Sequence, residues 1–364
     1  MSGLYIHIPF CRAKCAYCDF FSTPRRHDST AYVDAVIAEY EARRSEIPDA
    51  VRTVYFGGGT PSSLPPDELR RLVRHFAALT PEEFTVEVNP EDVGTALARM
   101  LADEGVNRIS MGVQSLVDAE LAAVGRRHTA ARALDAVATL RRAGFRDLCL
   151  DLIYGLPGQN LDSWRHSLEG VLALRPEHLS CYALAFEQGT RLWAMRECGK
   201  VTEASQELSD AMYRILCSAA AAHGYEHYEI ANFALPGCRS RHNSAYWNFT
   251  PYLGIGPGAH SFDGSMRRYN PCKIKEYIAA PATFSIVEEE TPTERLNDYV
   301  MTALRTSDGI DLSFVADRFG DEAARRLRRL SAADCRYNPT PRGFRIAEES
   351  WLLGDALTIP LLFD

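Results

Sequence analysis

The chain has 364 residues, 46% of them hydrophobic and 24% charged, with a net charge of −8. This is globular composition, enough for two domains or for one large domain with an appendage, and it excludes collagen-like, coiled-coil and largely disordered classes. The acidic balance argues against a dedicated nucleic-acid binder, and no apolar run reaches the ~18 residues that would span a membrane. The opening MSGLYIHIPFCRAKC lacks the pattern of a secretory signal, so a cytoplasmic protein is expected, with any membrane association arising through partners.

In chain order, β-rich runs are predicted at Leu4–Ile8, Thr53–Phe56, Phe84–Val88, Arg108–Val113, Leu148–Ile153 and Leu179–Leu184. Helical patterns lie between and after them, at Ala31–Arg44, Pro66–Ala78, Gly94–Asp103, Ala130–Ala143 and Leu161–Leu172. Six βα repeats imply a parallel sheet with right-handed crossovers. Six units are too few for a closed eight-fold barrel, so the expected fold is α/β, a partial (β/α)6 barrel over residues 1–200. Its chemistry belongs at the C-terminal ends of the strands. After residue 200 the pattern changes. A long helix (Glu203–His223) leads into an aromatic and glycine-rich extension over 201–292. Residues 293–364 read as a small helical, winged-helix-like domain with helices at Leu296–Leu304, Leu312–Phe319 and Glu322–Leu330. Its arginine cluster, Arg325, Arg326, Arg328 and Arg329, is read as a solvated helix face.

Ten cysteines in so long a chain do not indicate a secreted disulfide scaffold. Cys11, Cys15 and Cys18 crowd into one loop after the first strand as C-x3-C-x2-C, and the other seven are scattered. Cys149, Cys181, Cys198, Cys217, Cys238, Cys272 and Cys335 read as small packed hydrophobes. Three thiolates on one loop can converge on a soft metal centre. Structural zinc wants four protein ligands, and the nearby His7 and His27 lack finger spacing. A [4Fe–4S] cluster held by three cysteines leaves one iron open to a small molecule, which is the preferred reading.

IPFCRAKCAYC resembles the cluster loop of the radical S-adenosylmethionine (SAM) superfamily. FGGGTP (Phe56–Pro61), VEVNP (Val86–Pro90), ISMGVQS (Ile109–Ser115), VGRRH (Val124–His128) and DLIYGLPGQ (Asp151–Gln159) extend the match to the coproporphyrinogen III dehydrogenase-like branch, across nearly the whole chain. The resemblance implies an open iron that chelates the amino and carboxylate groups of SAM. It places Gly58, Gly59, Thr60, Glu87, Gln114, Arg126 and Asp151 around SAM, with Tyr5, Tyr17 and Ala185 at matching positions of the same pocket. Glycines at 57–59 would let backbone approach the ligand, and Arg126 suits a carboxylate.

Dehydrogenases of this branch carry a fourth cysteine where this chain has Phe20, and an extension before the cluster, which here begins ten residues in. This chain has instead RHNSAYW, whose H-N-x-x-Y-W resembles the motif of haem-chaperone members of the branch. That resemblance implies haem binding by His242, Tyr246 and Trp247. An imidazole is a good axial ligand, and aromatic rings offer flat faces to a porphyrin. GIGPGAHSF (Gly254–Phe262) also matches the family, and His260 there is left between a ligand contact and a packing role. The implied function is binding of haem and its delivery to haem-dependent proteins, membrane-bound respiratory enzymes among them, with a homodimer left open. Two alternatives stand beside it: oxygen-independent coproporphyrinogen III dehydrogenation, and another radical-SAM reaction.

Overall fold

The computed structural model describes residues 2–24, 28–47 and 49–364; His27 lies outside them. Strands β1 (Ser2–Ile8), β2 (Val51–Gly58), β3 (Glu83–Val88), β4 (Arg108–Gln114), β5 (Asp147–Tyr154) and β6 (His178–Ala183) alternate with helices α1 (Ser29–Arg43), α2 (Pro66–Ala77), α3 (Thr95–Asp103), α4 (Asp118–Ala123), α5 (Ala130–Arg142) and α6 (Leu161–Ala173). The six strands pair in sequence order, all parallel, as the βα alternation requires.

The helices cover the sheet for reasons visible in their residues. In α2, Pro66 opens the first turn, and Leu69, Leu72, Val73 and Phe76 fall on one buried stripe. Phe76 packs edge-on against Phe56, which in turn meets Phe84 of β3. Asn160 caps α6 through a reciprocal box with Ser163.

Beyond β6 come α7 (Arg191–Glu197), α8 (Gln206–Ala222), β7 (Glu226–Glu229), β8 (Asn232–Ala234), α9 (Arg241–Trp247), β9 (Tyr252–Ile255), β10 (His260–Phe262), β11 (Arg267–Tyr269), α10 (Ile274–Ala279) and β12 (Ile286–Glu288). These do not form a layer apart from the barrel. Strand β9 pairs in parallel with the outer edge of β1, and β10–β12 continue the sheet antiparallel. On the other side β8 and β7 extend it antiparallel beyond β6. The resulting twelve-stranded sheet is open, with β12 and β7 at its edges. Arg43 of α1 clamps the added strands. It pairs with Glu39 at 2.6 Å and donates to Ser261 Oγ at 3.1 Å and Gly254 O at 3.3 Å.

The last segment runs α11 (Pro292–Ala303), β13 (Ile310–Asp311), α12 (Leu312–Phe319), α13 (Asp321–Ala332), β14 (Tyr337–Pro339), β15 (Gly343–Ile346) and α14 (Gly354–Thr358). Its three strands form a small antiparallel sheet, in winged-helix order. Val300, Val315, Leu327, Phe344 and Trp351 make a second core, which Phe249, Tyr252 and Phe262 join from the barrel side.

Candidate active site

A cavity of about 560 Å³ opens at the C-terminal ends of the parallel strands. Of the residues singled out from sequence, Cys11, Cys15, Tyr17, Cys18, Gly58, Gly59, Thr60, Glu87, Gln114, Arg126, Asp151 and Ala185 line it. Residues from all six parallel strands or the loops after them therefore converge on one space. Tyr5 does not line it. Its ring lies below, against Tyr55 and His242, with its hydroxyl 3.1 Å from His7 Nδ1.

The cysteine loop is held at both flanks. Cys11 N–H donates to Thr23 O at 3.2 Å, and Ala16 N–H donates to Val124 O at 2.9 Å. All three thiols are half-buried. Burial, and then the neighbouring thiols, push Cys11 and Cys18 upward. Arg126 Nη1 lies 3.6 Å from Cys15 Sγ and places a cation beside the loop. Among the described residues no three His, Cys, Asp or Glu side chains stand close enough together to hold a single metal ion. The donor set, three thiols on one loop facing a cavity with a cation behind them, fits a cluster held at three corners. Neither aromatic-side neighbour adds a fourth ligand. Phe20 is 71% exposed, and both His7 nitrogens are engaged, Nε2 with Phe21 O at 2.8 Å.

The glycine run also permits a close backbone contact within the protein. A Cβ on Gly59 would stand 2.6 Å from Phe10 O and 2.8 Å from the Pro9 carbonyl carbon, and one on Gly58 would meet the His7 ring. The absent side chains let β2 press against the root of the cysteine loop, where Gly59 N–H donates to Ile8 O at 2.8 Å and Thr60 N–H to Phe10 O at 2.7 Å.

Around the cavity, charges are placed without full compensation. Glu87 is half-buried, and desolvation, against a hydrogen bond from Tyr55, pushes it up to about 7. Asp151 is likewise pushed up by burial, to about 6. Arg126 is aimed by Asn89, whose Oδ1 accepts from Nη2 at 2.8 Å. Gln114 sits at a register break between β4 and β5 with φ of +66°, a strained conformation for a residue with a side chain, of the kind found at ligand sites. Two half-buried carboxylates and one guanidinium suit a ligand that carries both a cationic centre and a carboxylate.

The H-N-x-x-Y-W segment lies at the other end of the strands. It forms α9, whose first backbone N–H groups, from Arg241 and His242, donate to the Glu83 carboxylate at 2.8 and 2.9 Å. His242 is 1% exposed. Its Nδ1 bonds Thr53 Oγ1 at 2.9 Å and its Nε2 bonds Tyr246 Oη at 2.8 Å. As placed here, neither nitrogen is open to an iron, and burial lowers the imidazole to about 3. Trp247 borders a separate cavity of about 320 Å³ with Tyr228 and Ser244. The expected haem triad is therefore not presented together: His242 and Tyr246 plug the bottom of the barrel and Trp247 faces elsewhere. Asn243 is the motif residue that reaches the main cavity. His260 stacks on Tyr269 across the β10–β11 pair.

Sequence reasoning missed Tyr55, Arg108, Ser110, Cys149, Ser180 and Tyr182, which line the lower cavity. The signal was present as strand alternation: Arg108, Ser110, Gly112 and Gln114 on β4, then Cys149, Asp151 and Ile153 on β5, face the same space.

Comparison with known proteins accords with this architecture. The Radical SAM superfamily matches residues 5–170, and the HemN C-terminal domain matches residues 291–344. A solved structure of coproporphyrinogen III oxidase (HemN) from Escherichia coli superposes with a TM-score of 0.81 at 24% identity, covering 99% of this chain and 89% of that one. Heme chaperone HemW of Lactococcus lactis is 36% identical over 327 residues, 87% of this chain and 85% of the relative. Heme chaperone HemW of Bacillus subtilis is 36% identical over 334 residues, 88% and 87% of the two chains. At this identity over most of both lengths, the chain belongs to the HemW haem-chaperone family of the radical SAM superfamily.

Proposed function

We propose that this protein carries haem and delivers it to haem-dependent proteins, membrane-bound respiratory enzymes among them, with a [4Fe–4S] cluster on Cys11, Cys15 and Cys18 and SAM in the adjoining cavity. The observation that carries the cofactor part is the convergence of three thiols, Arg126, Glu87 and Asp151 on one cavity. When bound, the cluster would offer an open iron to the amino and carboxylate groups of SAM. The residues around it do the positioning: Arg126 faces the carboxylate, Asn89 holds Arg126, and Glu87 and Asp151 supply negative charge to the cationic part. Haem carriage is supported by the names of the relatives, Heme chaperone HemW. Ligation of haem iron by His242 would require its bonds to Thr53 and Tyr246 to be exchanged, with Tyr246 and Trp247 turned to flank the ring. No helix among the described residues is long and apolar enough to cross a membrane, so contact with membrane enzymes would be made by docking. Haem titration followed by Soret absorbance, beside an anaerobic coproporphyrinogen III assay, tests the reading. Haem binding without turnover is expected; turnover without haem binding would transfer the assignment to a dehydrogenase.

A further inference from the structure

The C-terminal unit carries a groove of about 910 Å³ bordered by α11, α12 and α13. Its floor is apolar: Leu296 and Ala323 are buried, and Phe319 and Phe363 are half-buried. Its rim is cationic, with Arg295, Arg318, Arg325, Arg326 and Arg329 against one carboxylate, Glu322. Among the described residues none of these five arginines is in an ion pair, on a chain whose other arginines are commonly matched, as in Arg74–Glu104, Arg141–Glu177 and Arg267–Asp298. The α13 cluster is therefore not only a solvated face. Arg325 and Arg329 are exposed, but Arg326 turns inward, donates to Leu361 O at 2.9 Å and Leu362 O at 2.8 Å, and covers the Phe363 ring at 4.2 Å. Asn297 fixes Phe363 through two backbone hydrogen bonds of 2.8 Å each. The floor is built rather than frayed.

We propose that this groove docks a tetrapyrrole, a flat apolar ring with carboxylate arms; this rests on the haem-carrying reading above. Guanidinium groups bind carboxylates through paired, charge-assisted hydrogen bonds, and the phenylalanine floor suits the ring. The volume is that of a small-ligand site. A concave, apolar-floored pocket on an acidic chain does not suit a nucleic-acid backbone, which needs an extended basic face. Among the described residues no His, Cys, Met or Tyr lines the groove, so docking here uses the ring and its carboxylates and does not need the iron.

The test is a titration of wild type, Arg325→Glu/Arg329→Glu and His242→Ala with haem (Soret band) and with metal-free protoporphyrin IX (fluorescence quenching). Circular dichroism and thermal melting check that each variant folds. Wild type is expected to bind both compounds, and the arginine variant to bind both at least about tenfold more weakly. His242→Ala should leave metal-free protoporphyrin IX binding unchanged. A folded arginine variant that binds both as wild type does would overturn the groove while leaving haem carriage standing. So would binding of haem alone, abolished by His242→Ala. A groove that takes phosphatidylglycerol vesicles or a short DNA duplex and no tetrapyrrole would also overturn it. If wild type binds neither tetrapyrrole, the haem-carrying reading itself falls and the groove assignment with it.

Discussion

Tyr55 Oη donates a 2.7 Å hydrogen bond to Glu87 Oε1, while its ring lies on the His242 imidazole with centroids 5.1 Å apart. The residue thus joins the helix that plugs the barrel to a carboxylate of the cavity. This bond stabilises ionised Glu87 against the burial that raises it to about 7. SAM keeps a cationic sulfonium when its amino group is on iron, so it should bind better as Glu87 ionises. Tyr55→Phe removes the bond, and a hydrogen bond to a charged group contributes about 1.5–3 kcal/mol, or roughly one to two pH units. The pH midpoint for SAM affinity of cluster-loaded protein should move upward by about that much, as read by calorimetry from pH 6 to 9. An unchanged profile would mean that Glu87 does not face the cation.

Acid stability isolates His242. Its folded value of about 3 lies below the ordinary 6.5, because burial disfavours the charged ring. The unfolded chain therefore takes up the proton first, and stability present above pH 6.5 is lost as pH falls toward 3. The slope for one such group is about 1.4 kcal/mol per pH unit. Raised carboxylates such as Glu87 and Asp151 act in the opposite sense but are common to both proteins compared. Relative to His242→Gln, wild type should lose urea stability more steeply between pH 6.5 and 5. Parallel profiles would show that the ring is not held neutral.

Why the sequence revealed one half of the molecule better than the other follows from the range of the interactions. Each βα unit is set by local patterning, so helix limits such as those of α3, expected at Gly94–Asp103 and found at Thr95–Asp103, were legible. The cysteine loop was legible because its three ligand candidates are neighbours in the chain. Strand β9 was not: it is four residues long, contains Gly254, and exists as a strand because β1, some 250 residues earlier, offers an edge. Helix α9 was hidden for the same reason, since the carboxylate that caps it is Glu83 and the hydroxyl that holds His242 is Thr53. A motif read by residue type looks like a ligand set; only those distant partners show that its histidine is already bonded. Tyr5 illustrates a smaller limit, for alternation along β1 gives its face but not its depth.

Gly59 offers a test of the close contact between β2 and the cysteine loop. In Gly59→Ala the new methyl group would meet backbone at 2.6 Å, which cannot yield as a flexible side chain can. The loop must shift, and cluster content should fall while the helical signal persists. Gly94→Ala, where a Cβ has nothing within 4 Å, is the matched control. Full iron incorporation in Gly59→Ala would show that the contact does not set the position of the loop.

Cys149 makes the cluster assignment discriminating, because it lines the same cavity as Cys11, Cys15 and Cys18. It differs in chemistry. Its Sγ lies 3.0 Å from His178 Nδ1 and 3.2 Å from Ser180 Oγ, and burial pushes the thiol far upward, so it stays protonated and is a poor ligand. Serine can keep those hydrogen bonds. Anaerobic reconstitution should therefore load wild type and Cys149→Ser with about four iron and four sulfide per chain, and Cys15→Ser with almost none. Iron and sulfide analysis with the visible charge-transfer spectrum reads the outcome. Loss of iron from a folded Cys149→Ser protein, or a full complement in Cys15→Ser, would move the cluster away from the strand-one loop.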